Sequence, residues 1–119
     1  MNDDQPDKKP RGPITDDEIQ TALDWLMRTS KPSAQARADR VFLEKSGEAI
    51  KARLMGGDGP VAAQERDALA SDEYKTHLEG LKAAVYADEL YRIRRAAVEM
   101  KIEAWRTMCS NARTQGKIG

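Results

Sequence analysis

The last third of the chain, DEYKTHLEGLKAAVYADELYRIRRAAVEMKIEAWRTMCSNARTQ from Asp72 to Gln115, contains no proline and is rich in strong helix formers. It predicts one long helix. At about 1.5 Å of rise per residue this stretch extends roughly 65 Å, whereas a compact globule of the same chain length has a radius of gyration of about 13 to 14 Å. A helix of that length either protrudes or lies along something else. The chain is therefore predicted to be all-α and elongated: a helical hairpin, or a three-helix bundle, with a long C-terminal helix.

Composition agrees with that class. The 119 residues predict a single domain with a modest core. Aromatic residues make up 5% and charged residues 34%, so the apolar content comes mainly from Ala, Leu, Ile, Val and Met, a mix that favours helix. Twenty Lys plus Arg balance twenty Asp plus Glu, and global charge therefore points to no nucleic acid, membrane or acidic partner. One cysteine, Cys109, excludes an internal disulfide, and one histidine, His77, excludes the common zinc ligand sets. No apolar run approaches the ~18 residues of a membrane span, and the N-terminus lacks the apolar core of a signal peptide. The expected location is the cytoplasm, with no membrane partner.

In chain order, Met1 to Pro13 holds three prolines and balanced charges with almost nothing apolar to bury, and is expected to be a disordered tail before a single helical domain, 14–119. The first helix, about 16–28, starts at a capping box. Thr15 accepts from the Glu18 amide while Glu18 reaches back, and Ile14 with Ile19 forms a hydrophobic staple. Ile19, Ala22, Leu23 and Leu26 share its core face, with Trp25 as a packing anchor at the edge. Pro32 drives Lys31 out of the helical region, so a second helix is expected only after a Ser33 cap, over about 34–55. Its face is Ala36, Leu43, Gly47, Ile50 and Leu54, with Gly47 as a point of close helix contact. Gly56-Gly57-Asp58-Gly59-Pro60 lacks the Gly-Lys-Ser/Thr of a phosphate loop and reads as a hairpin connector to a short helix, about 60–70. Ser71 then caps the long helix, about 72–113.

The long helix carries two apolar stripes. Tyr74, Leu78, Leu81 and Val85 form the first, which ends because its continuation would bury Asp88 and Arg92. The second passes through Tyr86, Leu90, Ile93, Ala97, Met100 and Ala104, beside a line of Val98, Ile102, Trp105 and Cys109. Two short helices do not readily cover both lines. Tyr86, Leu90, Ile93, Ala97, Met100 and Trp105 are therefore the candidate partner interface, occupied by another protein or by a second copy in a homo-oligomer. The competing expectation is a bundle that covers these residues internally.

Charge is polarised along the same helix. From Leu90 to Gly119, seven basic residues face two acidic ones, a net +5, while Asp72 to Glu89 carries two basic and five acidic, a net −3. The helix dipole favours that arrangement, and so does antiparallel pairing of two such helices. The functional alternative is phosphate binding by Arg92, Arg94, Arg95, Arg106 and Arg113, a non-specific nucleic-acid contact, because no base-reading motif accompanies them.

Catalytic chemistry has no support in the residues. His77 is expected on an exposed helix position with no partner base or acid, and Cys109 has no histidine near it in sequence. Glu99 and Glu103 are expected to pair with Arg95 and Arg106, and the Glu-x-x-His motif of a di-metal bundle does not occur. No catalytic residue, metal or cofactor is predicted.

The segments Ala34-Gln35-Ala36-Arg37-Ala38, Val61-Ala62-Ala63-Gln64-Glu65-Arg66 and Lys101-Ile102-Glu103-Ala104-Trp105-Arg106-Thr107 resemble, in order and spacing, a family of small helical proteins of tailed bacteriophages and prophages, over about Thr15 to Lys117. The resemblance implies a bacterial host cell and a place among phage genes for DNA recombination and replication, and it brings no activity and no site residue. The resulting expectation is a non-enzymatic accessory or adaptor acting by protein–protein interaction. The alternatives are the nucleic-acid reading above and an inhibitor of a host nuclease or defence complex.

Overall fold

The computed structural model describes residues 12–118, which form four helices and no strand. These are α1 (Asp16–Arg28), α2 (Ser30–Leu54), α3 (Val61–Leu69) and α4 (Asp72–Ile118). Nearly all of the expected tail, 1–13, lies outside the described residues.

α4 is the spine, 47 residues without a break. α2 runs antiparallel along its first half: Arg53 pairs with Glu73, Arg40 with Asp88 and Glu89, and Ser33 with Arg95. α1 continues the same arm further along α4, with Asp16 at Trp105 and Glu18 at Lys101. The molecule is thus a helical hairpin in which one arm is a single helix and the other is two helices end to end. α3 sits at the closed end, where Ala68 is buried and Lys51 reaches Glu65. The radius of gyration is 23.8 Å and the extents are 83 × 36 × 24 Å, far from the roughly 13.5 Å of a compact chain of this length.

Local sequence explains the breaks. The Thr15 hydroxyl accepts from the Glu18 amide at 3.1 Å, and Asp16, Asp17 and Glu18 place negative charge at the positive end of α1. The reciprocal half of the expected capping box is absent, since the Glu18 carboxylate turns to Lys101 at 3.9 Å. α1 closes at Thr29, whose hydroxyl donates to the Trp25 carbonyl at 2.7 Å. α2 begins at Ser30, four residues earlier than expected. Pro32 falls in the first helical turn, where an amide would lack an intrahelical acceptor anyway, so the ring is tolerated and Ser33 donates its own amide to the Thr29 carbonyl instead of capping. The connector turns at Gly59, whose φ of +113° suits only glycine. Ser71 caps α4 as expected, accepting from the Tyr74 amide at 3.1 Å.

The core is thin. Ile19, Ala22, Ala36 and Ala68 are the buried apolar residues, and no large side chain among the described residues is fully enclosed. Along most of the hairpin only two helices lie side by side at any level, so side chains at the seam are covered from one side alone.

Candidate interaction surface

The inner seam is built by two heptad-like lines. On α2, Ser33, Ala36, Arg40, Leu43, Gly47, Ile50 and Leu54 recur at alternating spacings of three and four; on α4, His77, Leu81, Ala84, Asp88 and Tyr91 keep the same rhythm, and Val98, Ile102 and Trp105 resume it after one skipped slot. Every one of these residues is buried or half-buried. Antiparallel helices with that repeat pack side chains of one between those of the other.

Two features of this seam depart from the sequence expectation. His77 is buried, not exposed: it rests against Gly47, where an added Cβ would lie 2.9 Å from Nε2, and its Nδ1 has no hydrogen-bond partner. Tyr74 lies beside it at 5.6 Å between ring centres. Gly47 therefore makes the close approach expected of it, and the group it admits is the histidine. Asp88 is also buried, although the first apolar stripe was expected to stop short of it. Arg40, reaching across from α2, makes this possible by donating to Asp88 at 3.2 Å and Glu89 at 3.0 Å while pairing with Glu44 at 2.7 Å. These carboxylates raise the Arg40 pKa above its usual range, Glu44 contributing most. Hydrogen bonds from Arg92 and then Arg40 hold the Glu89 carboxyl below its usual value. Sequence reasoning missed this hub, although a signal was present: Arg40 and Asp88, of opposite sign, each occupy an apolar slot of their heptads.

The outer face of α4 is different. Ala83, Tyr86, Leu90, Ile93, Ala97, Met100 and Ala104 alternate at spacings of three and four, nearly opposite the inner seam. Tyr86 is 69% exposed, Ile93 57% and Met100 73%; Ala83, Ala97 and Ala104 are exposed and Leu90 is half-buried. Of the expected interface residues, Trp105 alone belongs elsewhere. It lies on the inner line, half-buried against α1, and its indole donates to Asp16 at 3.0 Å. Phe42 and Met27, at 70% and 76% exposure, are open apolar side chains on the other arm.

The five candidate arginines do not converge. Arg92 pairs with Glu89, Arg95 donates to the Ser33 hydroxyl, and Arg106 lies 3.6 Å from Glu103. Arg94 and Arg113 make no ion pair among the described residues, and they stand nearly 20 positions apart. Glu99, expected beside Arg95, has no such pairing either, because Arg95 is committed to α2. A shallow cleft of about 340 Å³ between the two arms is lined by Trp25, Tyr91, Arg37 and Asp88, but Asp88 already serves Arg40. Among the described residues no group of His, Cys, Asp and Glu could hold a metal ion. No described helix is long and apolar enough to cross a membrane.

Comparison with known proteins adds no relative: no family model, curated protein or solved structure matches this chain.

Proposed function

We propose that this protein is a non-enzymatic adaptor whose long helix folds the chain with one face and binds a protein with the other. The observation that carries the reading is the exposure of Tyr86, Ile93 and Met100 on one three-four line of α4, opposite the line that holds the hairpin together. Apolar stripes repeating at this spacing are stable when another helix covers them. The packing of the lone histidine, His77, against Gly47 supports the non-enzymatic reading. An accessory role in phage DNA recombination or replication, in a bacterial host cell, rests on the family resemblance alone, and inhibition of a host nuclease or defence complex would use the same face.

A photo-crosslinking residue placed at Ile93 of the full chain, in bacterial cells, tests the reading. It should yield a covalent adduct with a protein, whether another chain or another copy, while the same probe at the polar position Glu79 should yield much less. Absence of any adduct from position 93 would remove the basis for an adaptor role.

The nucleic-acid alternative keeps one observation in its favour, the net +5 of the C-terminal part of α4. Gel shifts with single- and double-stranded DNA at two salt concentrations separate it, because phosphate contacts weaken steeply as salt rises. Because the five arginines are dispersed and three of them are already engaged, no shift is expected at physiological salt.

A further inference from the structure

We infer that the occupant of the outer face of α4 is a second copy of this chain, lying antiparallel, with the two-fold axis crossing α4 between Leu90 and Ile93. The inference rests on the adaptor reading of that face and adds the partner and its register.

Three observations select this arrangement. The first is volume. With the axis at that point Leu90 meets Ile93 of the other copy, Tyr86 meets Ala97, and Ala83 meets Met100, each contact occurring twice. Every small residue faces a large one, as close packing of a helix seam requires. Beyond this seam Glu79 falls opposite Ala104 and Thr76 opposite Thr107, so the apolar stretch ends where the pairing turns polar.

The second observation is charge beside the seam. In this register Lys82 flanks Glu103 of the other copy, on both sides of the axis, and no like charges oppose each other in the flanking positions. Sliding the helices by one heptad also gives apolar layers, but it sets Glu89 beside Glu103 and Arg94 beside Arg94. A parallel pair would stack Tyr86 on Tyr86 and Ala97 on Ala97 and lay the two basic halves side by side. Its one gain, Glu89 against Arg94, competes with Arg40 and Arg92, which already hold Glu89. In the antiparallel pair, residues 72–89 with net −3 lie along residues 94–111 of the other copy, which carry four basic and two acidic residues, a net +2.

The third is area. The chain exposes 9665 Å² where a compact monomer of 13.3 kDa would expose about 6,500 Å². That excess is spread over the whole chain; a standard interface takes roughly 800 Å² per partner. The apolar seam from Ala83 to Met100 runs about 27 Å, along which both inner arms remain outside the contact.

Sedimentation of the full chain at about 100 μM, well above a micromolar dissociation constant, should give twice 13.3 kDa. In a Cys109→Ser background, the double variant Ala83→Cys/Met100→Cys should form a disulfide-linked dimer on mild oxidation, and neither single variant should. Within one chain the two positions are about 25 Å apart and cannot bond. Lys82→Glu and Glu103→Lys should each weaken the dimer about tenfold, and combining them should restore it. Cross-linking of the single variants, or a dimer that the double variant does not cross-link, overturns the antiparallel register. A monomer whose Ile93 probe captures a different chain overturns the second copy and leaves the adaptor reading standing; a monomer with no adduct at all overturns both.

Discussion

The two faces of α4 share a repeat and differ in what they carry. The inner face mixes apolar residues with His77 and Asp88, and both polar groups are buried because α2 supplies something shaped for them: the missing side chain of Gly47 for one, the guanidinium of Arg40 for the other. The outer face, from Ala83 to Ala104, is purely apolar along its central line, yet Tyr86, Ile93 and Met100 are open to solvent. Polarity by itself therefore does not tell the packed side of this helix from the open side. The inner face is fixed by specific pairs across the hairpin, while the outer face carries only shape and apolar area, properties that another helix with the same repeat can match.

The contrast predicts effects of different kind and size. Gly47→Leu forces side-chain volume into the His77 contact and should lower folding stability by roughly 2–3 kcal/mol, a fall of about 10 °C or more in the thermal midpoint. Circular dichroism melts would measure it; a wild-type midpoint would mean the hairpin is not held at Gly47. Truncation at the same contact, His77→Ala, should cost about 2 kcal/mol through the cavity it leaves, where an exposed histidine would have cost almost nothing. On the outer face, Ile93→Asp and Met100→Asp should abolish association while leaving the helical signal intact and the stability of the dilute monomer within about 0.5 kcal/mol. If these variants unfold at every concentration, the two faces are not separable and the comparison fails. Asp88→Ala should lower the midpoint less than Gly47→Leu, since Arg40 keeps Glu44 and Glu89.

The smallest effect concerns acid. The Glu89 carboxyl is held below its ordinary value of about 4.5, so its contribution to stability is complete above that pH and is lost as pH falls through the lower folded-state value. Glu89→Gln should remove that part of the acid dependence, read as a slightly shallower decline of the thermal midpoint below about pH 4.5. An unchanged profile would mean that Arg92 and Arg40 do not hold the carboxylate in solution.

Much of this architecture could be read from the residues. The proline-free run from Asp72, the Thr15 and Ser71 caps and the glycine connector mark three helix starts and the reversal, because each is a local effect with a side chain attached to it. The start of α2 falls earlier than Pro32 suggests because proline, a breaker inside a helix, is neutral in a first turn. The exposed line through Tyr86, Ile93 and Met100 was legible from spacing alone. Burial of His77 and Asp88 was not, since each depends on a residue 30 or more positions away and on the register of the hairpin, which no local pattern contains. Trp105 lies on the inner line and not on the outer one that the sequence suggests, because neighbouring stripes on one helix differ by a single step and only the position of α1 decides between them.

The joint at Thr29 divides the second arm into two lengths that grip the spine separately. α2 is clasped at both ends and at the middle, whereas α1 holds on chiefly through Ile19, Ala22 and the Asp16 and Glu18 contacts near Trp105 and Lys101. Such a spliced clasp should open in stages: amide hydrogens of the first segment should exchange with solvent sooner than those of the second, and the stretch of rod it shelters, around Val98 and Ile102, should become reachable before the rest of the molecule lets go.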